Sequence, residues 1–558
     1  MKLTRDLLSQ AVSEAFAQAQ REGEIPAFSL PPIVMEKPRQ GTLGDYATAI
    51  CLQVGRLAGL APATLAHLIA KRIALTGPIG RVEVAGPGFI NITLSASWLV
   101  RQVDEILAAG QSFGMVDAGK GLRVQVEYGS ANPTGPLHVG FARNVVIGDT
   151  LANILAAAGY SVEREYYVND AGTQMQLFGQ SLYARYAQAL GLDVPLPENG
   201  YQGQYLVEWG KEIAATAGRR YLDMPYEEAV AALTELGLKE KVLKGVQEDL
   251  SLLGVKYDNW FFERSLYASG TFEEAMALLR QRGYLEERDG AIWFLASRFG
   301  EDKDAVVIRS NGLPGYFASD IAYHYDKFVK RGFDVVVDVW GADHQGHVPR
   351  MKAVMAALGL DPERLHIVIY QLVTLKRGGE IIRISKRTGD LVTLRELLEE
   401  VGPDAVRYFL LSRAPDSQME FDLELAARQT EENPVFYVQY AHARIASVLR
   451  LAQRTPLQPT DGDVSLLEHP SELNLIRQMI QLPEVICDAA RDYAPHRLAY
   501  YAYELARSFH TFYRDCRILS SLPQEEALTK ARLKLTLAAK LVLARVLALM
   551  GMSAPERM

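Results

Sequence analysis

The alternation of apolar and polar residues predicts a parallel α/β core that begins near residue 122. Residues 122–128, LRVQVEY, alternate as in a half-buried strand. Residues 141–159 carry apolar side chains at helical spacing and end at a glycine, and residues 161–168, SVEREYYV, have the pattern of the next strand. Strand, helix and strand in this order open a parallel sheet.

The regions on either side of this core have different patterns. Residues 1 to about 112 predict a small α/β unit with a long N-terminal helix, further helix at 45–75 and a strand at 89–95. A glycine-rich break at 110–121 separates this unit from the core. From about residue 401 the chain is nearly all amphipathic helix, which predicts a helical bundle.

The central region is predicted to contain an insertion. Residues 180–300 are rich in helical periodicity and turn signals. The sheet is expected to resume at 305–310, AVVIRS, and to continue at 334–341 and 366–373. The predicted fold class is therefore α/β, with a small α/β domain before the parallel-sheet core and an all-helical bundle after it.

Composition narrows the class of protein. With 558 residues, 49% hydrophobic and 23% charged, the chain is long enough for about three or four domains. Its net charge of −8 favours local basic patches over a wholly basic surface for any nucleic-acid contact. Cys51, Cys487 and Cys516 form no CxxC pair, and the N-terminus lacks a signal-peptide pattern, so a cytoplasmic location is expected. Basic residues interrupt the apolar stretch 533–552, which favours a buried helix over a membrane span.

The first candidate site is the loop 130–140, SANPTGPLHVG, between the first predicted strand and helix. Its glycines allow a ligand to approach the backbone closely, and a helix N-terminus attracts phosphate. His138 at the turn can donate a hydrogen bond to charge that develops on a phosphate. The loop matches neither the dinucleotide fingerprint nor a P-loop, and an isolated turn of this kind more often only caps its helix.

A second candidate is 383–389, RISKRTG, which follows the last predicted strand. A basic loop at this place could neutralise a triphosphate in the transition state. Alone, a solvated basic loop is the more frequent explanation. The two motifs in this order around one parallel sheet favour an ATP site.

Together the motifs resemble the HIGH and KMSKR signatures of class I aminoacyl-tRNA synthetases. Longer runs are more specific and resemble arginyl-tRNA synthetases over nearly the whole chain; they are VEYGSANPTGPLHVG, REYYVNDAGTQ, GYFASDIAYHYDKF, WGADHQGHVPR and ENPVFYVQYAHAR. The resemblance implies a Rossmann-like catalytic core at 116–410, with the helix-rich insertion at about 180–300. It also implies an N-terminal domain at 1–115 that binds the tRNA elbow, and a helical anticodon-binding domain at 411–558.

The reaction implied by the resemblance joins arginine to tRNA(Arg) through an arginyl-adenylate, uses ATP accompanied by Mg²⁺, and releases AMP and pyrophosphate. Catalysis would rest on positioning and electrostatic stabilisation, with His138, Arg383 and Lys386 as the catalytic residues. The implied ATP site comprises Gly135, Pro136, His138, Gly140, Phe141, Ser385, Lys386 and Arg387.

The substrate side chain can be matched to acidic residues. A guanidinium is planar and always charged, so it favours carboxylates. Tyr316 and Asp320 stand four apart and share one face of a predicted helix, although a surface carboxylate near a helix start is the alternative. Whether His344 or Gln345 contacts the substrate stays open. The arginine site implied by the resemblance comprises Glu127, Ser130, Asn132, His138, Tyr316, Asp320 and His344.

Two departures from the family pattern keep alternatives open. Phe141 replaces the second histidine of the HIGH signature, and Arg383 replaces the first lysine of KMSKR with its charge retained. The alternative function is therefore that of a catalytically impaired relative that binds tRNA. A second alternative is a class I synthetase for another amino acid. The presence of His138 and Lys386 speaks against the impaired relative.

The tRNA contacts are predicted from the way proteins bind unpaired bases, by aromatic stacking with basic neighbours. Core packing is the alternative for aromatic residues at helical or strand spacing. No resident metal site is expected, because Asp343, His344 and His347 on one loop make a weak ligand set. The protein is expected to act as a monomer without a membrane contact. The resemblance places the tRNA contacts at Phe89, Asn91, Tyr440, Arg444 and Met558.

Overall fold

The computed structural model describes residues 3–38, 43–382 and 392–558, apart from the side chain of Tyr316. The elements of its N-terminal part are α1 (Thr4–Arg21), β1 (Tyr46–Thr48), α2 (Ile50–Ala58), α3 (Pro62–Ala70), β2 (Ile79–Ala85), β3 (Phe89–Leu94) and α4 (Ala96–Ala109). Leu8, Val12 and Phe16 recur every four residues along α1 and are buried, so this helix has one apolar face. The described strands form an antiparallel sheet in the order β1–β3–β2, on which α3 packs.

The central part alternates strands and helices. Within the described residues, five of its strands form one parallel sheet in the order β11–β10–β4–β5–β6, which confirms the predicted parallel α/β core. The elements are β4 (Arg123–Glu127), α5 (Val139–Ala157), β5 (Ser161–Val168), α6 (Thr173–Ala189), α7 (Gln204–Ala217), α8 (Tyr226–Leu236), α9 (Lys244–Leu252), β6 (Asn259–Phe262), α10 (Arg264–Ala268), α11 (Thr271–Gln281), β7 (Leu285–Arg288), β8 (Ala291–Phe294), β9 (Ala305–Ile308), α12 (Tyr316–Tyr325), β10 (Val335–Gly341), α13 (Val348–Ala357), β11 (Leu365–Tyr370), β12 (Val373–Arg377), β13 (Glu380–Ile381), α14 (Leu394–Val401), α15 (Pro403–Leu411), β14 (Met419–Asp422) and α16 (Leu423–Ala427).

The strand order of this sheet places a crevice at the carboxyl ends of β4 and β10. From β4 the chain proceeds through β5 to β6 on one side, and it then crosses to β10 and β11 on the other. The loops that follow β4 and β10 diverge at such a switch point and leave room for a ligand. Val126 and Val337, which neighbour each other in the two strands, are fully buried. Residues just beyond these buried positions therefore line the crevice.

Two short strands differ from the sequence prediction. The prediction that 305–310 continues the central sheet is wrong, because β9 pairs with β8 in a separate antiparallel sheet, β7–β8–β9, of the described structure. The region 180–300 contains the helices α6 to α9, but it also contains β6, the edge strand of the central sheet. The apolar runs AVVI and NWFF are typical of strands, but partners distant in sequence decide which sheet each one joins.

The C-terminal part is a helical bundle, as predicted. Its long helices are α17 (Pro434–Ala452), α18 (Pro470–Met479), α19 (Leu482–Arg491), α20 (His496–Asp515) and α21 (Glu526–Leu549). Helix α21 packs against α17, α18, α20 and α4, and it holds most of the apolar stretch 533–552. None of the helices in the described ranges is long and apolar enough to cross a bilayer.

Candidate active site

His138 lies at the start of α5, in the loop that joins β4 to this helix. It is the N-cap residue, and its Nδ1 accepts a hydrogen bond from the backbone N–H of Gly140 at 3.1 Å. In a neutral ring the proton therefore resides on Nε2, which can donate. The ring of Phe141 packs on that of His138, with the centroids 4.6 Å apart. The imidazole and the N–H groups of the first helical turn together suit an anion such as phosphate.

Side chains from neighbouring elements fix the first residues of the loop. Asn144 of α5 accepts from the N–H of Gly129 at 2.6 Å and donates to the carbonyl of Val339 at 2.8 Å. It therefore ties the end of β4 to the end of β10. The Tyr166 hydroxyl accepts from the N–H of Ala131 at 3.2 Å. The loop backbone is thus held in place before a ligand arrives, as catalysis by positioning requires.

Tyr205 of α7 covers the middle of the same loop. Its hydroxyl donates to the carbonyl of Thr134 at 2.7 Å. A Cβ at Gly135 would lie 2.9 Å from this tyrosine ring, so the close approach requires glycine at position 135. Pro136, the next predicted ATP contact, is exposed.

The chain returns to this loop just after the second signature. Residues 392–394 pair with residues 137–139 through backbone hydrogen bonds of 3.2 and 2.8 Å. Residues 392–394, which follow the second signature along the chain, therefore lie beside the first signature, at the carboxyl edge of the sheet. The predicted residues Arg383, Ser385, Lys386 and Arg387 lie outside the described residues.

Glu127, the last residue of β4, is held by its neighbours at the crevice. Its Oε1 accepts from the Ser130 hydroxyl at 3.0 Å, and its Oε2 accepts from Nζ of Lys327 at 2.7 Å. The same ammonium donates to Oδ1 of Asp338, on β10, at 2.8 Å. Burial raises the pKa of Glu127, although the Lys327 ammonium opposes this shift. The structure thus brings Glu127 and Ser130, both predicted to bind the substrate, into direct contact.

Asp320 of α12 adds a further carboxylate to this end of the crevice. Burial, together with the negative charges of Glu127, Glu263 and Asp338, raises the pKa of Asp320 to about 7. A bound cation would offset these effects, so the site suits a guanidinium. The helix begins at Tyr316, whose backbone the structure describes and whose side chain it does not.

Other predicted residues are more exposed. Asn132 is exposed, and His344 is exposed in the short 3₁₀ turn Ala342–His347 that follows β10. Nε2 of His344 lies 3.5 Å from a carboxylate oxygen of Asp343. Gln345 is exposed in the same turn, so the choice between His344 and Gln345 stays open. In the part of the chain that is described, no group of three or more His, Cys, Asp or Glu side chains could hold a metal ion.

The predicted elbow contacts lie on β3 in the N-terminal sheet. Phe89 is 38% exposed at the start of the strand, where its ring is accessible for stacking. Asn91 is 5% exposed and pairs with β1 and β2 on either side. The structure therefore places Phe89 at the surface and Asn91 inside the sheet.

The predicted anticodon contacts form an aromatic and basic cluster on the bundle. Nη2 of Arg444 donates to the Tyr440 hydroxyl at 2.9 Å, and the guanidinium lies 4.4 Å from the Tyr440 ring centroid. The ring of Tyr513, from α20, is 4.8 Å from the same guanidinium and is itself 41% exposed. Met558 is exposed at the end of a tail that hydrogen-bonds to α17.

Asn144, Lys327 and Asp338 hold the site together and were not predicted from the sequence. Asn144 stands four residues after Gly140, and Lys327 stands seven residues after Asp320, so each shares a helix face with a predicted residue. Asp338 is an acidic residue inside the apolar strand VVVDVWG. Helical spacing and a carboxylate in a buried strand were the signals that could have identified them.

Comparison with protein families matches three segments of the chain. Residues 3–94 match the family described as arginyl tRNA synthetase N terminal domain. Residues 102–422 match tRNA synthetases class I (R), catalytic domain, and residues 438–558 match the DALR anticodon binding domain.

Individual relatives match over their full length. The arginine–tRNA ligase of Dehalococcoides mccartyi is 50% identical over 554 residues, which is 99% of each chain. The arginine–tRNA ligase of Caldanaerobacter subterraneus is 48% identical over 558 residues, again 99% of each chain. The solved structure of Thermus thermophilus arginyl-tRNA synthetase shares the fold, with a TM-score of 0.77 over all of both chains at 24% identity. With these matches, the chain belongs to the arginyl-tRNA synthetase family of the class I aminoacyl-tRNA synthetases.

Proposed function

We propose that the protein joins arginine to tRNA(Arg) in two steps through an arginyl-adenylate, and releases AMP and pyrophosphate. Membership of class I implies that ATP supplies the energy. The observation that carries the proposal is the set of groups beyond the end of β4: two carboxylates, Glu127 and Asp320, and His138 as the N-cap of α5. An enzyme that activates arginine with ATP needs both a cation site and a phosphate site.

In the first step, an α-carboxylate oxygen of arginine attacks the α-phosphorus of ATP, the bond to the bridging oxygen of pyrophosphate breaks, and pyrophosphate leaves. Nε2–H of His138 and the N–H groups at the start of α5 donate to the oxygens on which charge develops. Lys386, Arg383 and Arg387 neutralise the departing pyrophosphate, and Ser385 contacts ATP. ATP would bring Mg²⁺ with it, and the charge of that ion would neutralise part of the phosphate charge. In the second step, the 3′-terminal ribose hydroxyl attacks the carbonyl carbon and AMP leaves.

Selection of arginine rests on charge. Asp320 and Glu127 bind the guanidinium together with Tyr316, and a neutral isostere such as citrulline would leave Asp320 without a cation and Glu127 with Lys327 alone. Ser130, which already contacts Glu127, is proposed to position the substrate. The remaining proposed contacts, toward the substrate head group or ATP, are Asn132, His138, His344, Gly135, Pro136, Gly140 and Phe141.

The tRNA would span the domains 1–115, 116–410 and 411–558. Phe89 and Asn91 are the proposed contacts for the elbow, and an exposed aromatic ring supports this role for Phe89. For the anticodon the proposed contacts are Tyr440, Arg444 and Met558, and the stacked guanidinium and rings on the bundle support it. The protein is further proposed to act as a monomer in the cytoplasm.

Aminoacylation with each labelled amino acid in turn tests this function. Purified protein, ATP, Mg²⁺ and total tRNA should give charging with arginine and with none of the others. ATP–pyrophosphate exchange, measured with and without tRNA and with citrulline or ornithine in place of arginine, then reports the activation step and its selectivity. Tight binding of tRNA without any charged tRNA product would support the impaired relative instead.

A further inference from the structure

Two acidic side chains stand next to each other, one at the carboxyl end of β4 and one in the middle of β10. Glu127 and Asp338 are register partners in these parallel strands. Neighbouring strands lie about 4.8 Å apart, so carboxylates in register on one face repel each other. The Glu127 side chain is 12% exposed and that of Asp338 is fully buried, so water screens this repulsion poorly. The pair needs a cation to remain ionised.

Lys327 supplies that cation. Its side chain is fully buried, and its Nζ donates to Glu127 at 2.7 Å and to Asp338 at 2.8 Å. Nζ also lies 4.0 Å from the centroid of the Tyr323 ring, a favourable position for an ammonium. Burial lowers the pKa of Lys327, but the surrounding carboxylates outweigh burial and raise it above its usual value. Lys327 therefore stays charged in the substrate-free site.

Other charged and titratable groups also face this cluster. Nε2 of His324 hydrogen-bonds the second carboxylate oxygen of Asp338 at 2.9 Å, and Arg331 pairs with Glu165 at 2.6 Å. Asp338 and Glu165 therefore have His324 and Arg331 as further partners. Loss of the Lys327 charge would leave the carboxylate of Glu127 with the least compensation. By element, the groups are Glu165 on β5, Asp320, Tyr323 and His324 on α12, and Asp326 and Arg331 in and after the π-helical turn Asp326–Lys330.

We propose that Lys327 is a positioning and specificity-determining residue for arginine, which acts through Glu127. It binds Oε2 of Glu127, so that Oε1 is presented on the side of Ser130 and the crevice. Its ammonium also offsets one of the two negative charges of the Glu127–Asp338 pair. Glu127 therefore stays ionised beside Asp338. The inference rests on the proposed function, because it takes Glu127 as a contact of the substrate guanidinium.

Replacement of Lys327 by methionine tests this role through the KM for arginine. Without the ammonium, the pair retains a proton near neutral pH, and arginine must displace it in order to bind. The KM for arginine should therefore exceed the wild-type value by about tenfold at pH 7.5 and should fall toward it by pH 8.5, since one pH unit changes a protonation ratio about tenfold. The kcat at saturating arginine should change little, because in this proposal Lys327 acts through Glu127 on binding of the guanidinium and not on the phosphate chemistry.

A second substitution restores the charge balance. Lys327→Met with Asp338→Asn removes the cation and one of the carboxylates that it neutralises, so the KM for arginine should return toward the wild-type value. Asp338→Asn alone leaves Glu127 fully neutralised by Lys327 and should raise the KM. Lys330→Met, which removes a partly exposed lysine three residues away that pairs with Glu274, is the matched control and should leave the KM unchanged.

The outcomes separate this inference from the proposed function. Arginine charging by the wild-type protein tests the function and does not depend on Lys327. An unchanged KM in Lys327→Met, or a raised KM that neither responds to pH nor recovers in the double variant, would overturn the inference alone. If Lys327→Met does not fold, the double variant is compared with Asp338→Asn: a lower KM in the double variant supports the charge role, and an equal or higher KM overturns it.

Discussion

Among the described residues, Lys327 beside the crevice and Arg407 next to the bundle are both buried cations with acidic partners. Arg407, on α15, is fully buried; its Nε donates to the Met550 carbonyl at 2.6 Å, and its Nη1 donates to the Leu253 carbonyl at 3.0 Å. Its Nη2 pairs with Asp149 of α5. One guanidinium, one carboxylate and two carbonyls make a neutral and enclosed cluster.

The Lys327 cluster differs in charge and in access. One ammonium contacts Glu127 and Asp338, and Asp320 lies near these carboxylates without full burial of its own side chain. These carboxylates therefore carry more negative charge than the single ammonium of Lys327 offsets, on the side of the sheet where the crevice lies. A buried ion pair with matched charge stabilises one arrangement of the chain, whereas unmatched charge at a crevice marks a place where a ligand completes the set. The Arg407 cluster should therefore contribute mainly to the stability of the fold. The Lys327 cluster should contribute mainly to substrate binding.

The largest expected effect is on folding, from Arg407→Met. This change leaves Asp149 buried without its cation, and breaking a buried pair in this way costs about 3–5 kcal/mol. Denaturant unfolding should show a loss of that order, while the KM for arginine of the folded protein stays near the wild-type value. Arg428→Met, which removes an exposed pair with Glu432, is the control and should cost less than about 1 kcal/mol. Equal stability of Arg407→Met and the control would contradict the structural role of the enclosed cluster.

Asp320→Asn should weaken substrate binding and leave stability intact, the reverse of Arg407→Met. Loss of one partner of a desolvated charge pair costs about 2–5 kcal/mol in binding, so kcat/KM for arginine should fall by about two to three orders of magnitude. Stability should not fall, because burial raises the pKa of Asp320 and the fold therefore disfavours its ionised form. Steady-state exchange kinetics and the Tm at pH 8 measure the two effects. A lower Tm with unchanged kinetics would assign Asp320 to the fold instead.

Binding of arginine at the Lys327 cluster should also depend on pH. The pKa of Asp320 is raised to about 7, so below pH 7 the carboxyl is protonated in the free protein and arginine binding must displace that proton. The KM for arginine should fall about tenfold per pH unit as the pH rises toward 7, and should then be level to about pH 8.5. In Asp320→Asn this dependence should disappear. Calorimetry in buffers of different ionisation enthalpy should detect proton release at pH 6, and its absence would exclude Asp320 as the titrating group.

The same pKa shift has a consequence for folding with a definite sign. A carboxyl whose pKa is higher in the folded state than in the unfolded state binds more protons when folded, between its two pKa values. Its contribution to stability therefore declines as the pH rises from about 4 to about 7, and the destabilisation is complete above pH 7. Asp320→Asn should gain stability relative to the wild-type protein at pH 8 more than at pH 5, which thermal unfolding at the two pH values measures.

The sequence predicted local features of the fold better than distant pairings. The unit β4–α5–β5 followed from alternation, helical spacing and the terminal Gly159, all of which act within a few residues. The partner of β9 and the edge position of β6 could not be predicted, because each is a four-residue apolar run whose sheet is decided by residues far along the chain.

The candidate site divides in the same way. Asp320 was predicted because its spacing from Tyr316 and the family pattern both identify it. Lys327 was missed because a lysine in a helical segment is ordinarily solvated, and its burial depends on Glu127, 200 positions earlier in the chain. Sequence indicates which residues can carry a charge, and the fold decides which charges are paired.

The smallest expected effect concerns Phe141, which stands where the family signature has a second histidine. Its ring packs on His138 and restricts an imidazole that Gly140 already fixes through Nδ1, so its contribution is that of an aromatic contact, about 0.5–1.5 kcal/mol. Phe141→Ala should therefore lower kcat by about tenfold or less. Phe141→His retains a ring of similar placement and should stay closer to the wild-type kcat than Phe141→Ala does. Single-turnover adenylate formation measures both, and a large gain in Phe141→His would show that a charged or hydrogen-bonding group is needed at position 141.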